Sequence, residues 1–146
     1  MIKAEDLRIG DIVRINENDS IKNGLIGKVT DIDSLREYKE KKGAITLNTI
    51  EDDGWYWGIW CCDIEPIPLT PEILEKNGWK KRTEGWYFMM ISKYMYLSVE
   101  FGYENGIRVF LKRTTDGLYV KLNIANNVHE LQHILWVLGK DANLKV

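Results

Sequence analysis

Along most of this chain apolar residues alternate with polar ones; only two short stretches repeat at helical spacing. Residues 7–15 read as a turn followed by a short strand, with Ile12, Val13 and Ile15 as its apolar positions. A second strand over residues 24–32 is entered through Gly24 and Gly27, and a third covers residues 44–50. Asp52-Asp53-Gly54 is a turn signal, after which residues 55–62 continue as a fourth strand and residues 64–68 as a short closing one. Several short strands at close spacing predict a small barrel or sandwich. Between them, residues 34–42 are a charged insertion, read as a solvated loop or one helical turn.

Residues 70–78 change the period. Thr70 caps, Pro71 occupies the first helical turn, Glu72 suits the positive end of the helix dipole, and Asn77-Gly78 stops the helix. Four strands follow, over residues 85–91, 94–101, 107–113 and 118–123. Asn105-Gly106 and Asp116-Gly117 are hairpin turns, because both dipeptides accept positive φ. A last helix starts at an Asn126 or Asn127 cap. It carries the stripe Val128, Leu131, Leu135 and Leu138 with Ile134 beside it, and ends at Gly139. The expected fold class is α+β. Residues 1–68 form the β-barrel, and residues 69–146 form a helix, four-stranded antiparallel sheet, helix unit whose helices cover one sheet face.

Composition narrows the function classes. At 146 residues the chain makes one ordinary domain or two small ones. A hydrophobic content of 45% supports a core, and no apolar run approaches the length of a membrane-spanning helix. The first six residues lack the apolar core of a signal peptide, so the expected compartment is the cytoplasm and no membrane partner is expected. A net charge of −2 gives no general attraction to nucleic acid, although it permits a local basic patch. Cys61 and Cys62 are adjacent, and a bridge between them would be strained. They are expected as reduced thiols on the fourth strand, one buried and one exposed.

The sharpest chemical motif is His129-Glu130-Leu131-Gln132-His133, the His-Glu-x-x-His pattern of zinc peptidases. On a helix His129 and His133 share a face and could share a metal, with Glu130 activating water. A catalytic zinc needs three protein ligands, and these are the chain's only two histidines. The only acid after His133 is Asp141. The helix is explained by its cap and stripe without metal, so no cofactor is expected, and a zinc metallohydrolase stands as the alternative. No phosphate-binding loop, nucleophile turn or dinucleotide fingerprint is present.

Two stretches suggest binding surfaces. Trp55, Tyr56, Trp57 and Trp60 crowd one strand, where period two places Trp55 and Trp57 on one face and Tyr56, Gly58 and Trp60 on the other. One set serves the core. The other either forms a seam between the two units or is exposed to stack bases or hold a peptide. In the second unit Arg108, Lys112 and Lys121 are candidates for a positive patch that meets phosphate. The expected partner is a protein or a nucleic acid.

Two resemblances add to these readings. The order Gly10-Asp11, Val13-Arg14, then Gly24, Gly27 and Val29 resembles SH3-like barrels of ribosomal and transcription-elongation proteins over about fifty residues. That resemblance implies Asp11 at the entrance of the first strand and a sharply bent second strand at Gly27. The segment Ile67-Pro68-Leu69-Thr70 with the short helix ending at Gly78-Trp79, and Val128-His129-Glu130-Leu131-Gln132, resembles small proteins of phages and mobile elements of gut Bacteroidetes. His133 departs from that group, in which Asn is expected. The resemblance implies a bacterial or phage origin. Together these readings predict a non-enzymatic binding or adaptor protein.

Overall fold

The computed structural model describes residues 2–18, 20–51 and 53–146. Asp52 of the expected Asp52-Asp53-Gly54 turn lies outside them. Asp53 has a φ of +50°, the left-handed geometry such a turn demands. The chain divides into two compact units, Met1–Ile67 and Pro68–Val146. No helix among the described residues is long and apolar enough to cross a membrane.

The first unit contains β1 (Ile12–Ile15), β2 (Ile26–Tyr38), β3 (Lys41–Thr49), β4 (Trp55–Trp60) and β5 (Ile64–Pro66). They form one antiparallel sheet in the order β4-β3-β2-β1-β5. Val13, Ile15, Val29, Ile45, Leu47, Ile59 and Ile64 form its buried core, joined by Ile2, Leu7 and Cys61. Asp11 is buried and accepts the Arg8 backbone N–H at 2.8 Å, which fixes the entry to β1. A Cβ on Gly27 would lie 3.1 Å from the Leu47 Cβ, so β2 and β3 approach there more closely than a side chain comfortably allows.

The second unit contains α1 (Pro71–Lys76), β6 (Lys80–Thr83), β7 (Trp86–Ser92), β8 (Met95–Glu100), β9 (Arg108–Arg113), β10 (Tyr119–Ile124) and α2 (Val128–Val137). Thr70 caps α1 by accepting the Ile73 N–H. The five strands form an antiparallel meander in the order β10-β9-β8-β7-β6. Tyr87, Leu97, Val99 and Val109 are buried on one face, and the Tyr87 hydroxyl donates to Glu75 of α1 at 3.2 Å.

This architecture corrects the expected α+β class. The protein is mostly β, with 46% strand and 15% helix, built as two antiparallel five-stranded sheets. Among the described residues no helix–sheet–helix arrangement exists: α1 has six residues and α2 ten, set against two five-stranded sheets. The unit expected to hold four strands has five, because Lys80–Thr83 pairs with β7 despite being exposed throughout. A run of Lys-Lys-Arg-Thr carries no apolar alternation, so its strand character comes only from pairing.

Nor is the first unit a clear SH3-like barrel. Its sheet has two edges, β4 and β5, which do not pair with each other. Glycines and alternation show where strands turn; closure depends on which edges meet, and no local pattern encodes that. The charged stretch over residues 34–42 is also no loop. It is a protruding hairpin, with Glu37 opposite Lys42, Tyr38 opposite Lys41, and Lys39 at a φ of +53° in the turn. Cys61 and Cys62 leave the fourth strand for a single 3-10 turn, Cys61–Asp63, that links β4 to β5.

Candidate functional site

The tryptophan strand owes its geometry to a bulge. Leu47 pairs with Tyr56 and Ile45 pairs with Ile59, so Thr46 faces two residues, Trp57 and Gly58. Gly58 has a φ of +68°, a conformation glycine adopts without steric cost. The extra residue shifts the alternation. Trp55 pairs with Asn48 and Trp60 with Ala44, four residues apart on β3, so both indoles lie on one face. Tyr56 and Ile59 turn to the core instead. The expected split, with Trp60 opposite Trp55 and Trp57, is thereby corrected: all three tryptophans share the outer face.

On that face Trp55 is 53% exposed and Trp57 is 73% exposed. Trp60 is half-buried, with the Arg36 guanidinium 5.3 Å from its ring centroid. The same guanidinium crosses Gly58, where a Cβ would lie 3.0 Å from Nη1. Register carries the face onto β2. Asp31 is opposite Thr46 and Asp33 is opposite Ala44, and both aspartates are exposed. The surface is therefore a row of indoles beside two carboxylates, with one arginine at its end. Arg36, Asp31 and Asp33 were not singled out from sequence. Gly58 inside a strand pattern was the available signal, since an isolated glycine there marks a bulge.

The three basic candidates of the second unit share one sheet face, because Tyr119 pairs with Lys112 and Lys121 with Phe110, while Arg108 and Lys112 flank Phe110 on β9. Only Lys121 is exposed. Lys112 Nζ lies 2.5 Å from Glu100 Oε1, with both side chains 14% exposed. It also sits 4.4 Å from the Trp86 ring centroid and 5.0 Å from that of Phe110. Glu100 accepts further hydrogen bonds from Ser98 and Tyr103, and the Trp86 indole N–H donates to Ser98. Burial opposes the charge on Glu100, but its bonds to Lys112, Tyr103 and Ser98 prevail and hold its pKa below the ordinary value. Arg108 stacks 3.7 Å from the Tyr103 ring centroid. Elsewhere on this unit Lys81 pairs with Glu84 and Arg113 with Asp116. Most of the expected patch is thus spent on internal contacts.

The zinc motif resolves into a helix start. Glu130 Oε2 accepts the backbone N–H groups of Asn126 at 2.7 Å and Asn127 at 3.0 Å, while the Asn127 side chain accepts the Glu130 N–H in return. This is a reciprocal capping box. His129 is buried, and its ring centroid lies 5.9 Å from that of His133. Among the described residues no group of three or more His, Cys, Asp or Glu side chains is placed to hold a metal ion. Two histidines and a carboxylate occupied by backbone donors do not fit a catalytic zinc.

Cys61 is buried and Cys62 half-buried, and both are free thiols. Burial pushes both thiol pKa values up, and at Cys62 the hydrogen bond to Asp63 adds to it. A raised thiol is a poor nucleophile at neutral pH.

Charge separates the two units. Met1–Ile67 carries nine Lys and Arg against fourteen Asp and Glu, a net −5, and Pro68–Val146 carries eleven against eight, a net +3. The tryptophan face belongs to the acidic unit. No known family, no curated protein and no solved structure matches the chain.

Proposed function

We propose that the protein is a non-enzymatic binding module of a phage or mobile element, acting in the cytoplasm, and that its ligand is a protein segment held on the outer face of β4. The observation that carries this reading is the pair Trp55 and Trp57, both exposed and side by side on an edge strand. Large exposed apolar side chains in a cluster are uncommon on a folded surface unless something covers them. Tryptophan is also the residue that most often anchors a protein interface. A nucleic acid could stack on the same indoles, but Asp31, Asp33 and the net −5 of this unit repel phosphate. The fitting ligand is a segment with apolar side chains for the indoles and Lys or Arg for the carboxylates.

The test is selection of a random peptide library of about twelve residues on the immobilised full chain, with a single-stranded poly-thymidine oligonucleotide as the comparison ligand. Basic, apolar peptides are expected to be enriched, and Trp55→Ala or Trp57→Ala to weaken their binding by about tenfold or more. Retention of the oligonucleotide in preference to peptides, or binding indifferent to both substitutions, would overturn the reading.

A further inference from the structure

We propose that the protein self-associates through β10, two copies pairing antiparallel so that the second unit's sheet continues across a two-fold axis. The two edges of that sheet differ. β6 is protected: Lys80, Lys81 and Arg82 are all exposed, the usual device that keeps an edge from pairing. The β10 edge begins with Tyr119 and Val120, preceded by Leu118; Leu118, Tyr119 and Val120 are 59%, 64% and 62% exposed. Three consecutive exposed apolar residues on a free edge are a template for another strand.

Hydrogen bonding sets the register such a partner must take. The Arg113 N–H donates to the Leu118 carbonyl, so Leu118 and Arg113 form a hydrogen-bonded pair. Alternation along an antiparallel ladder then turns the backbone groups of Val120 toward β9 and those of Tyr119 and Lys121 outward. A second strand must therefore meet Tyr119 and Lys121. Centred on Val120, the segment is self-complementary. Tyr119 of each copy faces Lys121 of the other, and Leu118 faces Leu122. The flanking registers set tyrosine against tyrosine or lysine against lysine, and the second of these places like charges opposite each other. Only the Val120-centred pairing forms two cation–π contacts and no like-charge pair. Each patch is its own complement, as an isologous interface requires. Leu122 is a bulge, which confines the regular pairing to this short segment. One strand pair lies at the small end of specific interfaces, so the dimer is weak.

Sedimentation velocity on the full chain, from about 1 to about 500 µM, reads the association. A concentration-dependent dimer is expected. Tyr119→Lys should raise its dissociation constant about tenfold or more, and adding Lys121→Glu to that variant should restore it, because opposite charges again face each other. Independently, Val120→Cys should form an intermolecular disulfide at position 120 under mild oxidation, mapped by mass spectrometry. Directly opposite residues in a non-hydrogen-bonded pair have Cα atoms about 4.5 Å apart, within disulfide reach. A monomer at all concentrations, a dimer indifferent to both charge changes, or no linkage at position 120 would overturn the proposal.

Discussion

Lys112 marks the clearest division between a binding cation and a structural one, and removing it gives a large, signed effect. The ammonium and the Glu100 carboxylate meet at 2.5 Å with both side chains 14% exposed. At an effective dielectric of about 20, charges this close attract by about 7 kcal/mol, most of which offsets the desolvation of both groups. Lys112→Met keeps the stem and removes the charge, stranding Glu100 among Trp86, Ser98 and Tyr103. Unpairing a largely buried charge costs about 3 kcal/mol or more. For a unit of this size that lowers Tm by roughly 12 to 24 °C. Glu100→Gln strands Lys112 instead and should also destabilise. The double variant leaves no unpaired charge, so it should recover at least about 1 kcal/mol relative to additivity. Urea denaturation of the full chain followed by circular dichroism measures all four proteins. The pH dependence supplies a second sign. The depressed pKa of Glu100 contributes stability that is full above the ordinary value of 4.5 and is lost as pH falls through the depressed one. Without Lys112 burial is opposed only by the hydrogen bonds from Tyr103 and Ser98, so Glu100 takes up a proton more readily and relieves part of its own penalty. The gap between wild type and Lys112→Met should therefore narrow in acid. A single-variant cost under about 1 kcal/mol, strict additivity, or a gap that is constant with pH would refute the structural reading of this pair.

Three further outcomes test the local geometry. Gly58→Ala forces a side chain into the left-handed region and against Arg36, so it should cost about 1 to 2 kcal/mol and weaken any ligand of the indole face, read by denaturation and by intrinsic fluorescence. Asn127→Ala and Glu130→Ala each remove half of the capping box and should each cost about 1 kcal/mol. Calorimetric zinc titration should show no zinc site in the wild-type chain and no change on either substitution. Asp63→Ala removes both the acceptor and the negative charge that, after burial, raise the Cys62 thiol, so iodoacetamide should alkylate Cys62 several-fold faster at neutral pH in the variant.

What the sequence disclosed depended on how local the physics was. The α1 cap at Thr70, the stop at Gly78, and the strands β7 to β10 follow from neighbours within four residues, and the expected ranges lie within two residues of the observed ones. β6 was hidden because a basic run becomes a strand only when β7 offers its ladder. The open edges of the first sheet were hidden for the same reason, since barrel closure is a long-range pairing. At the candidate site one residue separates the two outcomes. Period two sends Trp60 to the face opposite Trp55 and Trp57; the left-handed turn at Gly58 returns it to the outer face beside them. The glycine was visible, but its consequence required the register with β3. The motif over residues 129–133 failed in the opposite direction. Its spacing is the period of any helix, and its glutamate stands at the third helical position, where a capping box needs one. A short pattern that a helix start explains completely cannot also be counted as a metal site. By the same logic the large apolar side chains that stay more than half exposed, Trp55 and Trp57 on an open face and Leu118 to Val120 on an open edge, are where a partner's contribution is missing.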